Sequence, residues 1–246
     1  PDVNSLGKGV DYQDEVFVDA PISNYNIGIN GGTDVIKYSI GGGYFGQDGI
    51  IKNSDFNRAS FRSNLDIKIL PNLSVATNIS ASHSWAKGTT SEGDGGSSGA
   101  IVWATVLMPP TVPIYDEEGN YTMTNPTPGG TPTNNPVAIA NHYSDLQDID
   151  RFLGSVDANW ELIKNLTLKV TFGTDMSTSN RAYYWPKETY IGFSRNGDAR
   201  QANRRDVSYL NENTLNYSNV FGDHSINGLV GYTWQIFNSR NFSAGS

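Results

Sequence analysis

Between Arg58 and Trp85 apolar and polar residues alternate almost without a break. Ala59, Phe61, Leu65, Ile67 and Ile69 occupy odd positions, interrupted only by Ser63. Arg58, Ser60, Arg62, Asn64, Asp66 and Lys68 occupy the even ones. After Leu70-Pro71-Asn72 the rule resumes, with Leu73, Val75, Ile79, Ala81 and Trp85 opposed to Ser74, Asn78, Ser80, Ser82 and Ser84. Successive side chains of a strand point to opposite faces, so the run predicts a β-hairpin with one apolar and one polar surface. Each arm exceeds the usual strand of about five or six residues and is long enough to cross a bilayer at a tilt.

The same pattern recurs along the chain. Tyr25, Ile27 and Ile29 mark a first strand, Gly31-Gly32-Thr33-Asp34 a tight turn in which glycine tolerates positive φ, and Ile36, Tyr38, Ile40 and Tyr44 a second strand. Further on, Phe152, Val156, Ala158, Trp160 and Leu162 face away from Arg151, Ser155, Asp157, Asn159 and Glu161. Leu166, Leu168, Val170 and Phe172 follow, against Thr167, Lys169, Thr171 and Asp175. The turn Pro71-Asn72-Leu73-Ser74-Val75 is reused as Lys164-Asn165-Leu166-Thr167-Leu168. A last hairpin carries Tyr209, Leu215 and Tyr217, turns at Phe221-Gly222-Asp223-His224, and returns through Ile226, Val230, Tyr232, Trp234 and Ile236.

The prediction is therefore all-β: an antiparallel transmembrane β-barrel of about eight long strands, with short periplasmic turns and long extracellular loops; that it is a segment, part of a larger barrel, is what the family resemblance below implies. Residues 1–23 read as an irregular lead-in and residues 24–246 as barrel, with long loops at about 86–148 and 176–206. A short helix is expected from Gly99 to Met108, capped by Ser97 or Ser98 and ended by Pro109-Pro110. Trp160 falls near the periplasmic end, and Tyr44, Trp85 and Trp234 near the external end, as two aromatic girdles would require. The competing reading is a soluble β-sandwich with a glycan-binding loop surface, since sandwich strands also alternate. A third is a small self-contained barrel acting as adhesin or enzyme.

Composition narrows the choices. The 246 residues contain no run of about 18 apolar residues, so no transmembrane helix is expected. The mean hydropathy of −0.43 looks soluble, but barrel strands dilute the apolar signal by half. The absence of cysteine excludes disulfides and thiolate metal sites. A net charge of −8 argues against general affinity for nucleic acid. The chain opens without a signal peptide, in mid-phrase, so a segment of a longer protein is expected.

Catalytic chemistry finds little support. Gly41-x-Gly43-x-x-Gly46 matches a dinucleotide fingerprint in form but leads into a turn rather than a helix. His83, His142 and His224 are far apart and have no ligand-spaced partner, so no metal site is expected. No nucleophile elbow or ordered triad is present. Asp116-Glu117-Glu118-Gly119-Asn120 is oxygen-rich but lacks the alternating spacing of an EF-hand and reads as an exposed acidic turn. Two sets of residues remain as candidates. The loop aromatics Trp103, Tyr115, Tyr121, Tyr183, Tyr184 and Trp185, with Arg195, can stack on sugar rings or hold peptides. The charged stripe Arg58, Arg62, Asp66, Lys68, Asp157 and Lys169 is expected to face a water-filled lumen.

Several short stretches also resemble a known family. They include Asp11-Tyr12-Gln13-Asp14-Glu15-Val16-Phe17, Ala20-Pro21-Ile22-Ser23-Asn24-Tyr25-Asn26, and Tyr44-Phe45-Gly46-Gln47-Asp48-Gly49-Ile50-Ile51-Lys52-Asn53-Ser54. Met108-Pro109-Pro110-Thr111-Val112-Pro113-Ile114-Tyr115-Asp116, Asn135-Pro136-Val137-Ala138 and Phe221-Gly222-Asp223-His224-Ser225-Ile226-Asn227 extend the likeness over nearly the whole chain. As a set they resemble the SusC/RagA-type TonB-linked outer-membrane transporters of Bacteroidetes. The resemblance implies a place in the cell outer membrane, in contact with lipid, within a barrel of roughly 22 strands closed by a plug. It also implies a SusD-like lipoprotein lid, and oligosaccharide or peptide cargo. Energy would come from the TonB-ExbB-ExbD complex, engaged through an N-terminal part not recognisable here. It implies no enzyme activity and no cofactor.

Overall fold

The structure is a computed structural model that describes residues 7–89, 100–122 and 134–246. The Ser97 or Ser98 cap and most of the Pro- and Thr-rich run from Asn125 lie outside the described residues. Eight antiparallel strands follow chain order in a single sheet. They are β1 (Ile22–Gly32), β2 (Ile36–Asp48), β3 (Asp55–Leu70), β4 (Leu73–Gly88), β5 (Ser144–Ile163), β6 (Leu166–Trp185), β7 (Asp198–Phe221) and β8 (His224–Gly245). Every strand pairs with its sequence neighbours, and β1 and β8 form the two edges. An open edge presents unpaired amides and carbonyls that hydrocarbon cannot satisfy, so this sheet suits a stretch of wall in a larger closed barrel.

The register preserves the faces expected from the alternation. Phe61 lies opposite Ala81, which lies opposite Phe152, then Met176, then Val207. On the reverse side, Asp66 meets Ala76, then Asp157, Thr171 and Glu212. No second layer covers the apolar side. Ile27 remains 75% exposed and Val230 74%, and Phe61 and Val156 are exposed as well. A sandwich would bury these residues between sheets, so the soluble-sandwich reading is corrected. An apolar face of this extent, uncovered on single-layer strands of 20 to 24 residues in β5 to β8, is the lipid face of a transmembrane β-barrel.

The short turns all fall at one end. In the hairpin of β1 and β2, the Thr33 hydroxyl accepts from the amides of Val35 and Ile36. Gly31 and Gly32 lie within β1 without positive φ, contrary to expectation. Gly32 is required for space instead: a Cβ there would come within 2.4 Å of the Ile36 carbonyl oxygen. The repeated turns share a ladder irregularity just before them, between Lys68 and Leu70 and between Glu161 and Ile163. Asn165 takes the left-handed conformation, φ 70°. Asn72 joins the two hairpins: its side-chain amide donates to the Glu161 carbonyl at 2.9 Å, and its own carbonyl accepts from the Glu161 amide at 2.8 Å.

At the other end the strands run further than expected. The loop placed at 86–148 shrinks because β4 reaches Gly88 and β5 begins at Ser144, and that placed at 176–206 contracts to 186–197. The stretch Ser177-Thr178-Ser179-Asn180-Arg181 is polar on both faces. Beyond the bilayer both faces meet water, so the alternation stops while the hydrogen-bond ladder continues.

The buried core lies at this external end, in the segments between strands. The lead-in is not wholly irregular: α1 (Tyr12–Val16) is capped by Asp11, whose carboxylate accepts from the Gln13 amide at 3.0 Å, and Phe17 bridges to Ile51. The expected helix is α2 (Ile101–Leu107), with Ala100 at its N-cap and no side-chain cap. In α3 (Pro136–His142), Pro136 occupies the first turn and the Asn135 side chain accepts from the amides of Val137 and Ala138, at 3.0 and 3.3 Å. A single-turn helix, α4 (Tyr190–Arg195), ends on left-handed Asn196. Val16, Ile101, Ala104, Ile139, Tyr143 and Trp185 meet among these helices, with Tyr12 donating to the Val112 carbonyl at 2.9 Å.

Two predictions test this cluster. Trp185→Ala removes a ring buried to 2% exposure and should destabilise the cluster by roughly 3–5 kcal/mol, read as faster proteolysis between α2 and α3 in the full-length protein with the barrel intact. Burial raises the pKa of the Tyr12 phenol. The fold thus favours its neutral form. That contribution is complete below about pH 10, the unperturbed phenol value, and is lost as the pH rises through the folded value. Absorbance titration should show a late phenolate transition that Tyr12→Phe abolishes.

Candidate functional site

The six charged residues expected on one face do share it. Lys68 lies opposite Ser74, which continues to Asn159 and Lys169. Two residues along, Asp66 leads through Ala76 to Asp157. Arg62 and Arg58 start the rows that reach Asp175 and Arg204. Arg58 also sits 6.0 Å over the ring of Phe45. Some of the charges on this face pair across strands. Lys169 approaches Asp157 at 3.4 Å, and Asp157 accepts the Thr171 hydroxyl at 2.6 Å. Arg151 holds Asp175 through two contacts, at 3.3 and 2.9 Å. Exposed pairs of this kind contribute little stability, commonly below about 1 kcal/mol. They place charges of both signs along one face of the sheet. A cavity of about 600 Å³ opens here among Arg62, Asn78, Thr171, Asp175, Leu210 and Phe237.

Above this ladder the same face becomes richer in cations. Arg181 grips Asp145 in bidentate fashion at 2.8 and 2.7 Å. Asp198 is almost buried and receives both Arg195 and, at 3.5 Å, Arg200. The Tyr183 ring lies between two guanidiniums, with Arg181 5.9 Å and Arg200 5.7 Å from its centroid. Arg181, Tyr183, Arg195, Asp198 and Arg200 border an open cavity of about 760 Å³. Planar cations flanking an aromatic ring suit a ligand with a carboxylate or a flat polar face.

The aromatic set foreseen as one loop surface is divided. Tyr183 is on β6, on the charged face. Tyr184 is on the opposite face, exposed beside Gly197. Trp185 returns to the charged face but is buried against Tyr143, with ring centroids 4.4 Å apart. Its candidacy as a ligand contact is therefore corrected: its ring belongs to the core. Tyr115 and Tyr121 form a separate pair, bridged by their backbones, with ring centroids 4.9 Å apart and the rings tilted by 41°; His142 lies edge-on to Tyr121 at 5.3 Å. The hydrogen bond with Tyr121 raises the Tyr115 phenol pKa. The acidic turn between them closes on itself, with Asp116 accepting from the amides of Glu118 and Asn120 at 3.0 and 2.8 Å. Trp103, on α2, is 57% exposed. Arg181, Asp145, Asp198 and Arg200 escaped the sequence reading. Continuing the odd-numbered count from Asp175 through Arg181 and Tyr183 would have placed Arg181 on the charged face.

No family model matches the chain. Among curated proteins it is 30% identical over 238 residues to TonB-dependent receptor P3 of Formosa agariphila, covering 96% of this chain and 24% of that protein. It is 25% identical over 259 residues to TonB-dependent receptor SusC of Bacteroides thetaiotaomicron, covering 96% of this chain and 25% of the other. The chain thus spans about a quarter of the length of the curated relatives it matches. In structure it superposes on the RagAB peptide importer with a TM-score of 0.76 at 24% identity, over 98% of this chain and 27% of that one. The pyoverdine receptor FpvA of P. aeruginosa gives 0.57 at 10% identity, over 91% and 27%. The relatives are receptors and importers rather than enzymes. Sheet architecture and relatives agree that the chain is an outer-membrane β-barrel segment similar to TonB-dependent receptors.

Proposed function

We propose that this chain forms part of the wall and external mouth of an importer that draws oligosaccharides or peptides across the outer membrane. The observation that carries the reading is the division of one sheet into an exposed apolar face and a face of cross-strand ion pairs. The first suits lipid and the second a hydrated lumen. Arg58, Arg62, Asp66, Lys68, Asp157 and Lys169 line that lumen. Alternating charge gives a polar chain many weak, exchangeable contacts and no deep trap.

At the mouth, Tyr183 with Arg181, Arg195 and Arg200 meets the cargo first. Tyr115, Tyr121, Trp103 and Tyr184 offer further stacking surfaces to cargo or to a SusD-like lipoprotein lid. The TonB-ExbB-ExbD complex supplies the energy through parts of the receptor outside this chain. The RagAB neighbour, a peptide importer, supports peptides as one cargo class. The paired arginines at Tyr183 would suit a peptide carboxylate. Stacking on tyrosine faces would serve sugars equally.

Calorimetry on the full-length receptor with its lid protein, against peptide and oligosaccharide mixtures, tests the reading. Tyr183→Ala and Arg200→Ala should each weaken binding by about tenfold, the equivalent of ~1.4 kcal/mol. They should leave the amount of receptor in the membrane unchanged. Uptake that persists without TonB, or binding indifferent to both substitutions, would sink it. Lys169→Gln removes a partly exposed pair and should change stability by less than about 1 kcal/mol while altering the ion selectivity of the receptor barrel with its plug deleted, measured in planar bilayers.

A further inference from the structure

On the lipid-facing side, one row of partners runs His83, Asp150, Thr178, Arg205, Arg240. It begins with a side-chain contact, His83 Nδ1 lying 2.8 Å from the Asp150 carboxylate. It ends with two arginines directly opposite each other on β7 and β8. Like charges so placed repel, with Cβ atoms only about 4.5–5.5 Å apart. Both side chains are exposed, and among the described residues neither has an ion-pair partner. Asp206, next in sequence, points to the other face and pairs with Arg204. The nearest carboxylate in the row, Asp150, lies two strands from Arg205, roughly 10 Å away, and is engaged by His83.

Their height along the wall gives this pair a meaning. The outward positions of β8 from Ile226 through Val230, Tyr232 and Trp234 to Ile236 are apolar or glycine. At about 3.3 Å per residue and a tilt of about 40°, that stretch covers roughly 25 Å, the apolar band of an outer-membrane barrel. Arg240 comes four residues later, about 10 Å beyond the band, on the long-loop side. Arginine stems can lie back toward the band while the guanidiniums stay at headgroup depth. A concavity of about 300 Å³ sits at this point, bordered by Arg205, Val207, Tyr209, Asn238 and Arg240. It has cations above and apolar atoms below.

We propose that Arg205 and Arg240 clamp the phosphate of an outer-leaflet lipid headgroup, with an acyl chain lying along Val207 and Tyr209. A phosphate between the guanidiniums would replace their repulsion by two charge-assisted, bidentate contacts. Elsewhere on the outward face of the described strands Lys87 is opposite Asp55 and Asp148 is opposite Asn180, so the arginine pair stands apart as two like charges facing each other.

The test uses the full-length receptor in mild detergent, mixed in turn with micelles of phosphorylated lipid A, with the same lipid dephosphorylated, and with inorganic phosphate. Native mass spectrometry reads retention. The receptor should hold the phosphorylated lipid at least about tenfold more tightly than the dephosphorylated one. The Arg205→Gln, Arg240→Gln double variant should lose that preference, and Lys87→Gln should keep it. In the unaltered receptor, where folding is not in question, retention should fall as salt is raised. Equal retention of the two lipids, or retention indifferent to salt, overturns the proposal. Inorganic phosphate bound as tightly as the lipid marks an adventitious ion only. Loss of thermal stability in the double variant with lipid preference intact marks an ion pair to a carboxylate beyond β8, and also overturns it.

Discussion

Hydrocarbon offers nothing to hydrogen-bond with, and most of this molecule follows from that. Every amide and carbonyl at bilayer depth needs a protein partner, and a sheet supplies partners only from neighbouring strands. The continuous ladder from β1 to β8 meets that demand everywhere except at its two edges. The strands can then present apolar side chains on one side and charges on the other. What would be a liability in water, an uncovered face carrying Ile27, Phe61, Val156 and Val230, becomes the surface that lipid solvates.

The same constraint explains where the compact core lies. Within the bilayer no second layer is needed, so the strands there bury little among themselves. Past it, connections must fold against one another in the ordinary way. Tyr12, Ile101, Ile139, Tyr143 and Trp185 do so at the external end, held by the Asn135 cap and by the Tyr12 hydroxyl on Val112. That small core positions Tyr121 and His142 and fixes the top of β6, so the ring of Tyr183, two residues before buried Trp185, is presented from a rigid base. Tyr183 is itself half-buried against that core, so its ring has little conformational freedom left to lose.

Charge is distributed with the same economy. The charged face pairs acids and bases diagonally between neighbouring strands, as in Asp157 with Lys169 and Arg151 with Asp175. The outer face carries charge only above its apolar band. One sheet thus carries three different surfaces, an apolar face, a charged face and an upper end polar on both sides, and a strand passes from one regime to the next as it rises.

Alternation from Arg58 to Trp85 was enough to determine strands and their two faces, because a period of two follows from strand geometry whatever surrounds it; that the strands lie in one uncovered sheet rather than two packed layers was decided only by the tertiary structure. The repeated Asn72 and Asn165 turns were legible for the same local reason. The charged stripe was legible too, and all six of its residues lie on one face. Where both faces meet water the signal vanished, and the ladder through Ser177 and Arg181 was mistaken for loop. The grouping of Arg181, Tyr183 and Arg200, the withdrawal of Trp185 into the core and the meeting of Arg205 with Arg240 depend on register between distant segments. Which residues become neighbours across strands is decided by pairing, and pairing exists only once the chain has folded.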